Sequence, residues 1–205
     1  MKWHQRITRL FGLNTGPCRQ TEITIRQMRD TDIPALARLE NKSFDQDIFS
    51  EFLMEDEDFL HFLENTDGDT VFVAENEKGL IGYIALEFYP EDNGPLKKSA
   101  DIYSIAIDPD RAGSGIGNYS IAKRLLQAAE ALVAGHPDHD SVHFETHQAN
   151  SKLVNILTRY GGYRQIGRIE DYYGDGGGAI QLCKYLGPDG PDPSDKPALP
   201  PELSR

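Results

Sequence analysis

Three glycines spaced two apart, Gly113, Gly115 and Gly117, follow Asp108 and Pro109 at the end of an apolar run. They lead directly into a long helical pattern. Such a turn lines up backbone N–H groups at a helix N-terminus, where the helix dipole and the unbonded donors favour an anion such as a pyrophosphate. A Walker loop would end in Gly-Lys-Ser/Thr, but Gly117 is followed by Asn118 and Tyr119. A dinucleotide fingerprint would read G-x-G-x-x-G near the start of a βαβ unit. Here the glycines strictly alternate and three or more strand-like runs come first. A glycine turn without a ligand is the remaining alternative. The run HPDHD at residues 136–140 holds His136, His139 and Asp140. Those types suit a metal, but a solvated loop explains them better.

The elements around the glycines follow from periodicity. Residues 23–28 alternate as an edge or half-buried strand does. Thr31 or Asp32 is positioned to cap a helix with Pro34 in its first turn and Leu36, Leu39 and Phe44 on one side. Residues 49–63 suggest two short, acid-rich helical pieces. Strands are expected at 71–74, 80–88 and 102–107, with turns at 76–79 and 91–95. The helix opened by the glycines runs to about residue 134, with Tyr119, Ala122, Leu126, Ala129 and Val133 on one face. A strand at 142–146, a helix at 150–160 and closing strands at 163–169 and 179–185 complete the order. The fold class is therefore α/β, a mixed central sheet of about 6–7 strands flanked by helices.

The 205 residues suit one domain with a full core. Residues 1–20 form a basic N-terminal arm, 21–186 the domain, and 187–205 a proline-rich tail expected to be disordered. The net charge of −12 argues against nucleic acid as a partner and is compatible with a cationic amine. Cys18 and Cys183 show no metal-ligand spacing, so no metal is expected and reduced thiols in a cytoplasmic protein are. No apolar run approaches the roughly 18 residues of a membrane span. A monomer or a homodimer is expected.

The segment from Ile102 to Gly117 resembles the acetyl-coenzyme A signature of the GCN5-related N-acetyltransferases (GNAT), whose pattern is Gln/Arg-x-x-Gly-x-Gly/Ala after a strand and Asp-Pro. The resemblance extends over roughly 23–186. Phe72-Val-Ala-Glu75 and Gly82-Tyr-Ile84 match the strand pair before the signature. His143-Phe-Glu-Thr-His-Gln-Ala-Asn150 resembles the family's Leu-Glu-Val-x-x-x-Asn strand and cap, and Gly162-Tyr163 its Gly-Phe. Glu40-x-x-x-Phe44, and Asp171-Tyr172-Tyr173 before a glycine turn, resemble the ribosomal-protein alanine N-acetyltransferases.

The resemblance implies direct acetyl transfer from acetyl-CoA to a primary amine, first of all a protein or peptide N-terminal α-amine. It places the base at Glu145, and Ile105, Ala106 and Ile107 beside the thioester, where backbone N–H groups would polarise its carbonyl. Arg111, Ala112, Gly113, Ser114, Gly115, Ile116, Gly117 and Asn118 would hold the pyrophosphate. Asn150 would contact the cofactor, cap the following helix, or both. Phe44, Tyr172 and Tyr173 would line the acceptor groove. A peptide α-amine, with a pKa of about 8, costs about 1.4 kcal/mol to deprotonate at pH 7, against about 4.6 for lysine, so an α-amine asks less of a base.

Three features depart from the family. The Gln/Arg position falls on Ala112, with Arg111 one residue early, and Ser114 stands where a basic residue is usual. The family's general-acid tyrosine falls on Leu157 or Thr158, while residues 150–163 are one residue longer, which makes Tyr160 the candidate acid from the next turn. The helix after the glycines also runs a few residues long. These departures leave two alternatives open: a degenerate acyl-CoA-binding sensor or interaction module, and an acetyltransferase for lysine, a polyamine or an aminoglycoside.

Overall fold

The computed structural model describes residues 22–43, 70–88, 99–108, 110, 116–172 and 177–187. Seven strands form one mixed sheet: β1 (Thr24–Gln27), β2 (Val71–Asn76), β3 (Gly79–Phe88), β4 (Ser99–Ile107), β5 (Ser141–His147), β6 (Arg164–Ile169) and β7 (Ala179–Tyr185). Their spatial order is β1-β2-β3-β4-β5-β7-β6. All neighbours are antiparallel except β4 and β5, which run parallel. A parallel pair needs a crossover, and helix α2 (Ile116–Gly135) supplies it. Helix α1 (Ile33–Ser43) lies between β1 and β2 in the chain, and α3 (Ser151–Ile156) between β5 and β6. The two helical pieces expected at 49–63 fall outside the described residues.

Alternation along β3 divides the core in two. Ile84 and Leu86 join Ile121, Leu125, Leu126, Ala129 and Val133 of α2 in one cluster. Tyr83 and Ala85 join Leu36, Ala37 and Leu39 of α1 in another. The helices thus cover opposite faces. Each large apolar side chain buried this way contributes about 1.5–3 kcal/mol relative to exposure. Gly82 is where α2 comes close: a Cβ there would meet Ala106 O at 3.0 Å and Ile121 Cγ2 at 3.4 Å.

Helix α1 starts differently from the sequence expectation. A 3₁₀ turn, Asp30–Asp32, runs straight into it, so neither Thr31 nor Asp32 caps the α-helix itself. The Asp32 carboxylate accepts the Arg29 N–H at 2.9 Å and Arg26 Nη1 at 2.6 Å. The Arg26 guanidinium holds the Asp32 carboxyl below its ordinary range. The helix expected over 150–160 also changes character. It is α-helical only to Ile156, and Leu157–Gly161 forms a π-helical turn. A π turn takes up one residue more than an α turn, which is how the longer segment is accommodated. Gly162, at φ +78°, ends it in the left-handed region that favours glycine.

Candidate active site

The parallel strands β4 and β5 pair over only part of their length. Ser99 pairs with Ser141, Ala100 with Val142, Asp101 with His143 and Ile102 with Phe144, and there the ladder ends. Beyond it, β4 continues through residues 103–107 while pairing with β3 on its outer edge. Strand β5 continues through 145–147 while pairing with β7 on its outer edge. The facing edges share no ladder over this stretch, so the centre of the sheet opens as a wedge. Open α/β sheets bind ligands at such places, off the carboxyl ends of parallel strands.

A bulge in β4 marks the start of the wedge. Ala85 pairs with Ser104 but Leu86 pairs with Ile102, so Tyr103 is the extra residue. The bulge reverses which side chains face which helix. Ala100 and Ile102 pack in the α2 cluster, Ala106 in the α1 cluster, and Ile105 and Ile107 against the α2 cluster. Ile105, Ala106 and Ile107, expected beside the thioester, all lie on the open half.

Behind the bulge sits a buried carboxylate. Glu40 of α1 is 8% exposed. It accepts a short hydrogen bond from the Tyr83 hydroxyl and others from Ser104 Oγ at 3.0 and 3.2 Å. Tyr83 OH also donates to Ser104 Oγ at 2.9 Å. Burial pushes the Glu40 carboxyl up, against the two hydroxyl donors that favour its charge. This network ties α1, β3 and β4 together at Ser104, next to the bulge. The sequence reading used Glu40 only as part of a family match. Its burial had one visible signal: Glu40 is four residues from Leu36, on the helix face that packs inward.

The end of β4 is anchored as well. Asp108 N–H donates to Ile81 O at 2.9 Å, and the Asp108 carboxylate accepts Lys42 Nζ at 2.7 Å and Asp110 N–H at 2.9 Å. Asp108 therefore joins α1 to the entry of the glycine stretch. Arg111, Ala112, Gly113, Ser114 and Gly115 lie outside the described residues, as do Phe44 and Tyr173. Ile116, Gly117 and Asn118 form the first turn of α2.

Glu145 is the first residue of β5 past the end of the ladder. It is half-buried and faces the α1 side, opposite to Phe144. Its partner across β7 is Gln181, whose Nε2 donates to Glu145 Oε1 at 2.7 Å. His143, two residues earlier on the same face, is held below its ordinary pKa by burial, with Glu145 and Asp140 opposing that shift. It is therefore neutral at pH 7. Cys183, paired with His143, is buried and its thiol is pushed up to about 12 by that burial. A protonated thiol of this kind is no nucleophile. Gln181 was missed by sequence reasoning, because its meeting with Glu145 depends on the β5–β7 register.

Asn150 precedes α3 but makes no side-chain cap hydrogen bond; its Nδ2 donates to Thr146 Oγ1 at 3.3 Å. Its amide is thus turned back toward β5 rather than into the helix it was expected to cap. Tyr160 is 66% exposed on the π turn. Its ring meets Tyr119 of α2 edge-on at 5.4 Å. The two tyrosines flank a cavity of about 70 Å³ that also touches Lys123, Glu130 and Lys184. The structure thus does not group Tyr160 with Glu145 and Gln181 on the α1 face; it sets it against α2. Tyr172 is exposed and follows Asp171, which sits at φ +50°. In the 136–140 loop, His136 and His139 meet through ring nitrogens 2.8 Å apart and pack on Phe88. No group of three or more His, Cys, Asp or Glu suited to a metal occurs among the described residues.

No helix among the described residues is long and apolar enough to cross a membrane. No curated protein matches the chain. Many solved structures share the fold. The ribosomal-protein-S18-alanine N-acetyltransferase from Escherichia coli superposes with TM-score 0.61 at 18% identity, over 83% of this chain and 98% of that one. The ribosomal-protein-alanine N-acetyltransferase from Brucella melitensis gives 0.60 at 21%, over 80% and 99%. A Salmonella typhimurium protein described as an acetyltransferase, solved with its cofactor acetyl-CoA, gives 0.61 at 16%, over 82% and 95%. The sequence profile of the acetyltransferase (GNAT) family matches residues 33–162, from α1 through the wedge to the π turn. The chain belongs to that family: it is an N-acetyltransferase, with acetyl-CoA as its acetyl donor.

Proposed function

We propose that the protein acetylates a primary amine, with a peptide N-terminal α-amine as the first candidate, and that Glu145 accepts the proton. The observation that carries this reading is the position of Glu145, at the residue where the β4–β5 ladder stops and held by Gln181. An extended, amide-bearing chain such as a pantetheine arm fits an open strand edge, where it can use the backbone groups as a strand would. Acetyl-CoA supplies the acetyl group as a thioester. Residues 105–107 would hold its arm, and the first turn of α2 with residues 111–115 its pyrophosphate. With Ala112 and Ser114 at the usual basic positions, that grip rests on backbone N–H groups.

The acceptor enters from the α1 face, past Tyr172 and residues 44 and 173. Its nitrogen attacks the thioester carbon, the C–N bond forms, the C–S bond breaks, and the ammonium proton passes to Glu145 directly or through a water. Tyr160, on the α2 side, protonates the departing thiolate. A thiol pKa of about 8.5 makes the thiolate a fair leaving group at pH 7, so this acid has little to supply. The α-amine suits a single half-buried carboxylate because its deprotonation costs about 3 kcal/mol less than that of lysine. Two of the solved structures of like fold are alanine N-acetyltransferases of ribosomal proteins, which makes an alanine N-terminus the first to try.

Acetyl-CoA turnover across a panel tests this: peptides starting with Ala, Ser or Met, an Nα-blocked lysine peptide, and spermidine. Free N-termini are expected to give the highest kcat/KM. Turnover confined to lysine or spermidine, or none at all, would overturn the α-amine assignment.

A further inference from the structure

Gln181 is a glutamine in an apolar setting. It is 6% exposed, at the centre of β7 between the buried Ile180-side and Leu182 positions, and Ala179 and Cys183 flank it on its own face. Across β6 its partner is Gly167, which offers no side chain. Its Nε2 is used, donating to Glu145 at 2.7 Å. Its Oε1 is shielded from solvent and has no hydrogen-bond partner among the described residues. Turning the amide over would set its oxygen against the Glu145 carboxylate, so the orientation is forced. Buried polar atoms are nearly always satisfied, and an orphaned one calls for an explanation.

The chemistry of the reaction gives one. A primary amine carries two N–H bonds and a lone pair. The lone pair attacks the thioester, and one proton leaves for Glu145. The second N–H stays on nitrogen in the amide product and needs an acceptor throughout. Gln181 Oε1 lies no more than about 5 Å from the Glu145 oxygen that its own Nε2 binds, a gap one nitrogen can bridge with two ordinary hydrogen bonds.

We propose that Gln181 seats the acceptor: its carbonyl takes the spectator N–H of the amine while its NH₂ holds the carboxylate that accepts the other proton. The proposal rests on the reading of Glu145 given above. It makes Gln181 a specificity residue, because a secondary amine has no spectator N–H to offer. The enzyme then discriminates primary from secondary amines through an atom that is otherwise unsatisfied.

The test pairs each acceptor with its methylated counterpart: an alanine-initiated peptide against its N-methyl-alanine form, and an Nα-blocked lysine peptide against its Nε-methyl form. Gln181→Met keeps the shape and removes both hydrogen-bonding groups; Gln181→Leu is the second choice if that variant does not fold. Loss of one hydrogen bond predicts about a tenfold drop in kcat/KM on the primary amine, carried mainly by KM. The secondary amine should change less than twofold beyond any common effect of loosening Glu145. Calorimetry on the CoA-saturated protein should show the same loss of affinity for the primary amine alone. Equal losses on both members of a pair, or no loss on either, overturn the proposal. Glu145→Gln, run alongside, should lower kcat on both members. If it does not, the base assignment fails while the primary-to-secondary ratio still decides the role of Gln181. A wild-type protein that acetylates no member of either pair overturns both.

Discussion

The two halves of the β4–β5 seam are made of the same strands and do opposite things. In the first half, residues 99–102 and 141–144 pair backbone to backbone, and Ala100, Ile102, Val142 and Phe144 send apolar side chains into the α2 cluster. In the second half the ladder is gone, a bulge has shifted the side-chain alternation, and the residues nearest the gap include Glu145 and Gln181. The first half spends its backbone hydrogen bonds on the fold. The second withholds them, and outer neighbours β3 and β7 must keep its strands in place. A strand edge left open inside a sheet costs stability unless something completes it, and acetyl-CoA is the group that would.

The contrast predicts that damage to the halves is separable. Phe144→Ala, in the closed half, should destabilise the fold by about 3–5 kcal/mol, read by urea unfolding, while leaving kcat per folded molecule nearly unchanged. Glu145→Gln, one residue on, should do the reverse, with kcat about 10²–10³-fold lower and the unfolding midpoint little moved. If both variants lose stability and rate together, the division of the seam is wrong. Tyr160→Phe should lower kcat at most about tenfold, since the thiolate leaves without much help. A hundredfold loss would mean that the phenol does more than protonate sulfur.

The smallest effect concerns the support behind the bulge. The Glu40 carboxyl is raised by burial, so the folded state holds that proton more tightly than the unfolded chain does. The stability this contributes is fully present below the ordinary value of 4.5 and is lost as pH rises through the higher folded value. Glu40→Gln has no proton to lose. Its stability relative to wild type should therefore climb with pH above about 4.5, by on the order of 1 kcal/mol. A difference that is flat with pH would show that Glu40 does not titrate as its burial implies.

Much of the closed half was legible in the chain. The alternation of residues 80–88 and 102–107 and the amphipathic pattern after Gly117 needed only the periods of strand and helix, and their bounds moved by a few residues at most. The bulge also left a trace. Ala100 and Ile102 share one parity and Ile105 and Ile107 the other, so the apolar face switches at Tyr103. The π turn was foreshadowed by one surplus residue before Gly162. Glu145 was found because the family resemblance pointed to it. Gln181 and the Glu40–Tyr83–Ser104 network were not legible, because each is defined by partners 21 to 64 residues away that only the register brings together. Asn150 shows the opposite limit. Its sequence context fits a helix cap, yet its amide turns back to Thr146.

The central claim is that acetyl-CoA completes the open half of the seam. Amide hydrogen exchange, measured with and without coenzyme A, reads this directly. Saturating coenzyme should slow exchange within residues 103–107 and in the first turn of α2, while the amides of residues 99–102, already laddered to β5, change little. Equal protection in both halves, or none in residues 103–107 under conditions where the coenzyme is bound, would contradict the account.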